Sequence, residues 1–191
     1  MLRKIGIIVA VLLVLLIGVI ATRPAGFTVT RSKTIAAPPE AVYAQISDFH
    51  RWRHWSPWEE RDPAMKREFS GATAGEGAVY SWVGNKDVGE GRMTITDARP
   101  SDQVVIRLEF REPFAVTNTT GFVLTPSGQG GTNVTWSMSG ENNFMMKGMS
   151  LFMNMDRMVG NDFDTGLAKL DSLSTGRKNV LDPVRAGLLA D

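Results

Sequence analysis

Residues 145–173 read MMKGMSLFMNMDRMVGNDFDTGLAKLDSL, and this stretch decides the fold. Met145, Met149, Phe152, Val159, Phe163, Leu167 and Leu170 fall within about 40° of one line at 100° per residue. The spacing predicts one amphipathic helix of about 29 residues, roughly 43 Å long, stopped near Gly176. A helix with a single apolar stripe has to lay it on another element.

The preceding chain supplies that element. Val104, Ile106, Leu108 and Phe110 alternate with Val105, Arg107 and Glu109, the period of a half-buried strand. Thr132–Ser139 places Val134, Trp136 and Met138 on one face, and Ala78–Val83 does the same with Tyr80 and Trp82. Strands are also predicted at 27–35, 65–69, 91–98, where Met93 and Ile95 alternate with polar residues, and 116–124. Turns are expected at Gly84–Asp87 and Arg99–Asp102, and Pro126–Ser127–Gly128 is expected to end the strand begun at Val116. One apolar and one polar face is the mark of an antiparallel sheet covered on one side. Between the first strand and the rest, Pro39–Phe49 carries helical spacing, and RWRHWSPW (residues 51–58) reads as a second short helix or tight loop. A bent sheet spanned by one helix is expected to leave a cavity between them, where apolar ligands bind.

At the other end, Ile5–Ala21 is a run of seventeen uncharged residues, with Arg3 and Lys4 before it and Arg23 after it. As a helix it is about 25 Å long, the short end for crossing a bilayer. An uncleaved anchor and a cleaved signal peptide both fit. The run exceeds the usual signal core of roughly 7–15 residues, while Val19–Ile20–Ala21 offers small residues near a possible cut. Positive charge ahead of the run predicts the N-terminus inside and the domain across the membrane, on the periplasmic or external face in a bacterium. The expected division is an anchor or signal over 1–25, one ligand-binding domain over 26–175 and a loose tail over 176–191.

Composition excludes several classes. The chain has 191 residues, a net charge of +1 and no basic cluster interleaved with aromatics, so nucleic acid is not an expected partner. Without cysteine there is no disulfide, thiolate metal site or cysteine nucleophile. His50 and His54 stand at i, i+4 but enclose Arg51, Trp52 and Arg53 in place of the acidic HExxH pattern, so no metal site is expected. Gly128–Gly131 lacks the GK[ST] of a phosphate loop, and no cofactor is expected.

The element order resembles the helix-grip fold of the SRPBCC superfamily (START and birch-pollen-allergen-like proteins). The resemblance runs over roughly 27–174 and is nearest to its polyketide cyclase/dehydrase and lipid-transport branch. It rests on Pro38–Tyr43 opening the first helix, Trp52 with Trp55–Ser56–Pro57–Trp58, the Gly75–Glu76–Gly77 and Gly89–Glu90–Gly91 turns, Thr132–Trp136 and Gly166–Leu170. It implies an α+β fold: a curved antiparallel sheet of about seven strands wrapped on a long C-terminal helix, here preceded by a transmembrane helix. It also implies an internal hydrophobic cavity for lipids, sterols or polyketides. No catalytic motif of its ring cyclases transfers residue by residue. The expected role is membrane-anchored binding or transport of a hydrophobic small molecule or lipid. The alternatives are a cyclase- or dehydratase-type enzyme and an interaction module without ligand.

Candidate cavity residues follow from the apolar faces. The strands offer Tyr80, Trp82, Met93, Phe110, Asn118 and Trp136. The helix offers Met149, Phe152 and Asp156, the last a carboxylate about 20° from the line through Met145. Trp55 and Trp58 come from the aromatic segment and could close the mouth. Seven of the ten methionines lie between Met138 and Met158, suited either to an adaptable pocket wall or to an exposed apolar patch facing lipid.

Overall fold

The computed structural model describes residues 2–151 and 154–176. An apolar helix, α1 (Leu2–Thr22), precedes β1 (Gly26–Ile35). Three short helices follow: α2 (Pro39–Ile46), α3 (Phe49–Trp52) and α4 (Pro57–Arg61). Then come β2 (Lys66–Gly71), β3 (Ala78–Val83), β4 (Glu90–Arg99), β5 (Gln103–Glu112), β6 (Val116–Ser127) and β7 (Gly131–Glu141). The last described elements are α5 (Phe144–Met149) and α6 (Met155–Ser174).

The strands form one seven-stranded antiparallel sheet in the order β1-β7-β6-β5-β4-β3-β2. From β2 to β7 each strand pairs with the next, and β1 pairs with β7, with Val29 opposite Met138. Register shifts in β4 at Glu90/Gly91 and Ile95/Asp97 bend the sheet. The α6 helix lies on the concave face with Phe163, Leu167 and Leu170 buried, the stripe expected from the sequence. This is the helix-grip α+β fold.

Three expectations are corrected. The predicted helix over 145–173 is two helices, because two asparagines each start one. Asn143 accepts from the Met146 N–H and Asn154 from the Arg157 N–H, each at 2.9 Å. The continuous helix is therefore α6 alone, 20 residues and about 30 Å. Residues 51–58 contribute the end of α3 and the start of α4, separated by Arg53–Ser56. Pro126 does not end β6, which runs to Ser127 with Pro126 opposite Thr132. Pairing to β5 stops at Val123, so on that side the missing proline N–H removes no ladder bond. The expected tail over 176–191 lies outside the described residues except for Gly176, and Phe152 lies outside them too.

The register gives the sheet two distinct ends. Gly26, Glu141, Val116, Phe110, Gly91 and Trp82 lie at the end nearest α1, since each opposes or neighbours the next across the sheet. At the far end Ile35, Val42, Ile46, Val104, Leu124, Leu167 and Leu170 are all within 2% of full burial. Trp52 and Trp55 close the middle against Phe122 and Trp136, with ring centroids 5.6–6.4 Å apart. Their indole N–H groups are spent on the chain below, Trp52 on the Ile46 carbonyl and Trp55 on that of Gln45. The short helices thus fill what one helix cannot, but only over the far half.

Candidate functional site: a hollow at the near end of the sheet

Where the short helices stop, a hollow of about 220 Å³ remains between α4, α6 and β3–β7. That is far above the roughly 10–15 Å³ needed to admit one water. Its deep wall is aromatic and fixed. Trp136 stacks on Phe163 with centroids 4.1 Å apart and planes 9° apart. Trp136 Nε1 donates to Thr120 Oγ1 (3.0 Å), which donates to the Ser137 carbonyl (2.8 Å), so the indole cannot turn away. Trp82 donates Nε1 to the Val88 carbonyl (3.0 Å) and lies over Gly91, where a Cβ would collide with its ring. Tyr80, Met93 and Leu108 complete that side. Toward solvent the wall is Phe110, Trp58, Val159 and Met158, the last 49% exposed.

One side of the hollow is polar. Pro57 opens α4 and places Glu59 in its first turn, where it is buried. Tyr80 Oη donates to Glu59 Oε1 at 2.7 Å, and Arg67 Nε donates to Glu59 Oε2 at 2.7 Å. Burial, then the neighbouring Glu59 carboxylate, pushes the Tyr80 phenol well above its usual range, so it stays a donor. Burial pulls the Arg67 guanidinium down, but Glu59 outweighs it and the net shift is upward. The second polar pair is Arg61 with Asp162, joining α4 to α6 beside the mouth. Burial raises the Asp162 carboxyl, with Arg61 opposing. Ser56, also on the hollow wall, is the N-cap residue of α4 yet makes no side-chain capping bond. Chemically this is an oily slot with a held carboxylate and a phenolic donor on one flank.

Of the residues expected at a cavity, Trp58, Tyr80, Trp82, Met93, Phe110 and Trp136 border this hollow. Trp55 lies behind it in the filled core. Asn118 is buried on the concave face but beside Phe27 and Gly140 rather than in the hollow, and its Oδ1 has no partner among the described residues. Met149 is exposed on α5. Asp156, in the first turn of α6, meets the edge strand instead: Arg31 donates to its carboxylate at 3.0 and 3.1 Å and holds the carboxyl low. Glu59, Arg61 and Asp162 were missed. Glu59 finds its partners 8 and 21 residues away, so no local pattern marks it. Among the described residues no group of three or more His, Cys, Asp or Glu could hold a metal.

Comparison with known proteins follows the same outline. The family model described as polyketide cyclase / dehydrase and lipid transport matches residues 26–174. No curated protein matches the chain. Among solved structures, the Mll3558 protein of Rhizobium loti is 22% identical, covering 79% of this chain and 99% of its own, with a TM-score of 0.56. The Aha1 dimer of Colwellia psychrerythraea is 17% identical over 80% of this chain and 99% of its own, TM-score 0.56. Protein jhp0584 of Helicobacter pylori is 8% identical over 78% and 88%, TM-score 0.60. At such identities the likeness is one of fold.

Proposed function

The chain belongs to the polyketide cyclase / dehydrase and lipid transport family, and from that premise we propose that it is a membrane-anchored protein that holds a hydrophobic small molecule in the near-end hollow. The carrying observation is the hollow itself: aromatic, methionine and aliphatic side chains around about 220 Å³ between the sheet, α4 and α6. Burying apolar ligand surface there gains roughly 25 cal/mol per Å². The polar flank at Glu59 and Tyr80 would orient a ligand's hydrogen-bonding end. Trp58, Tyr80, Trp82, Met93, Phe110 and Trp136 are the contact residues of this reading.

The anchor is α1, whose 21 residues have a mean hydropathy of 3.1 in their most apolar window and include none that is buried. A cleaved signal sequence has the same features, and the length of the run favours the anchor. With Arg3 and Lys4 before the run, the N-terminus is inside and the domain across the membrane. Residues 1–25 then form the anchor, 26–175 the ligand domain and 176–191 a tail.

Met93→Trp tests the reading by filling the hollow from its buried wall. Extracts of the wild-type chain purified from membranes should contain a bound apolar compound by mass spectrometry. Extracts of Met93→Trp, and of α1 fused to an unrelated domain, should lack it. Equal amounts in all three, or none in the wild type, would sink the proposal.

A further inference from the structure

We propose that the near end of the domain sits on the bilayer surface, so that the hollow opens onto the membrane and takes a bilayer-resident amphiphile sideways from one leaflet. This rests on α1 being a membrane anchor, and three features lead to it.

The first is the tether. Only Arg23–Ala25 separate α1 from β1, a span of at most roughly 11 Å even fully extended. The start of β1 is at the near end of the sheet, so that end cannot stand far from the membrane that holds α1. The α5 helix lies against the close of α1, with Ile20 Cδ1 3.5 Å from where a Gly148 Cβ would be.

The second is where exposed apolar side chains gather. Outside α1, Phe114 (38% exposed), Phe144 (53%), Met145 (53%), Met149 (38%) and Met158 (49%) all project at the near end. Phe114 is in the β5–β6 turn, Phe144, Met145 and Met149 are on α5, and Met158 is on the first turns of α6. A clustered apolar rim beside a membrane helix, formed largely of flexible methionines, suits an irregular lipid surface. Among the described residues the far end carries fewer: Val123 (41%) on the outer face of β6 and Leu173 (40%) on α6, on separate elements.

The third is the direction of the hollow. Its deepest residues, Tyr80, Met93, Trp136 and Phe163, are buried; of its exposed or half-buried ones, Phe110, Met158 and Val159 form the apolar side of the mouth toward the near end, and Trp58 and the Arg61–Asp162 pair form the α4 side. The rim and the mouth share Met158. The hollow is also smaller than the roughly 300 Å³ at which pockets for drug-sized ligands begin. A lipid-sized ligand would therefore leave part of itself in the mouth, and in this orientation that part remains in the bilayer rather than in water.

The chain has no cysteine, so single cysteines can be labelled cleanly with an environment-sensitive fluorophore. Full-length Leu12→Cys, Phe114→Cys, Met145→Cys and Thr125→Cys would be reconstituted in phosphatidylcholine–phosphatidylglycerol vesicles with or without doxyl-labelled lipid. Labels at 12, 114 and 145 should be quenched at least twofold by the lipid-borne quencher, and the far-end label at 125 only by aqueous iodide. Quenching at 12 with 114 and 145 behaving like 125 would overturn the docking while leaving the anchor intact. Absence of quenching at 12 as well would overturn the anchor and the docking with it. Two rim positions on different elements guard against a local folding defect at either.

Discussion

Glu59 shows how much a single buried side chain is asked to do. It accepts from Tyr80 and Arg67 and has 8% of its surface exposed. Replacing it with alanine would strand a buried phenol and a mostly buried guanidinium. Breaking a buried ion pair typically costs about 3 kcal/mol. Glu59→Ala should lose about that much in urea unfolding, and Glu59→Gln, which keeps an acceptor for Tyr80, clearly less. Asp162 behaves differently because burial raises its carboxyl. The folded chain therefore holds that proton more tightly than the unfolded chain does. Between the unfolded value, about 3.9, and the raised folded one, this group's contribution to stability falls as pH rises, then levels off. Asp162→Asn removes the titration. The stability of the variant relative to the wild type should rise with pH across that window and be flat above it, as urea unfolding at a series of pH values would record.

At the scale of elements, the close approach of α6 to the sheet depends on two glycines with different expectations. A Cβ on Gly166 would sit 2.7 Å from the Trp136 ring and 3.3 Å from Pro57 Cδ, neighbours that are themselves wedged in the core. Helix propensity favours alanine over glycine by about 1 kcal/mol, but overpacking a filled core costs about 1–3 kcal/mol. Gly166→Ala should therefore be net destabilising. The nearest atoms to a Cβ on Gly160 are those of the Arg31 guanidinium, a side-chain end that can move at the loss of its exposed bonds to Asp156, so Gly160→Ala should be close to neutral. Thermal melts of the pair read the difference directly. Much of this packing was legible in the sequence. The alternation in β5 put Val104, Ile106 and Leu108 inside, and the same rule found Tyr80 and Trp82. The stripe of α6 was legible from Phe163 to Leu170. The break before α6 was not, because the apolar positions keep one helical phase across it. The local signals were the capping asparagines, Asn143 and Asn154. Asp156 was placed by a phase counted from Met145, and that count loses its meaning where the helix stops and restarts. The polar flank of the hollow was illegible for another reason. Its partners come together only through the fold, Arg61 with Asp162 across 101 positions.

For the whole molecule, the decisive feature is an uneven core. Its far half is closed by α2, α3 and the Trp52–Trp55 pair, while its near half, at the α1 end of the sheet, keeps an apolar hollow. An unfilled apolar space forfeits contacts on its lining, so it lowers stability wherever it occurs. A sequence selected only for packing has a ready remedy, since Met93 faces the hollow and a larger side chain there would meet empty space. The two interpretations of the hollow, ligand site or packing defect, thus separate on one variant. Met93→Trp should stabilise the ligand-free domain by about 1 kcal/mol, within the range of cavity-filling substitutions. If the hollow holds a ligand, that gain comes with loss of the bound compound. The ligand's own stabilisation of the wild type, RT ln(1 + [L]/Kd), should then make the wild type the more stable of the two once ligand is restored. Melting both proteins before and after delipidation checks this: the order of the two melting temperatures should reverse. An unchanged order, with Met93→Trp more stable in both conditions, would mark the hollow as no more than a gap in the core.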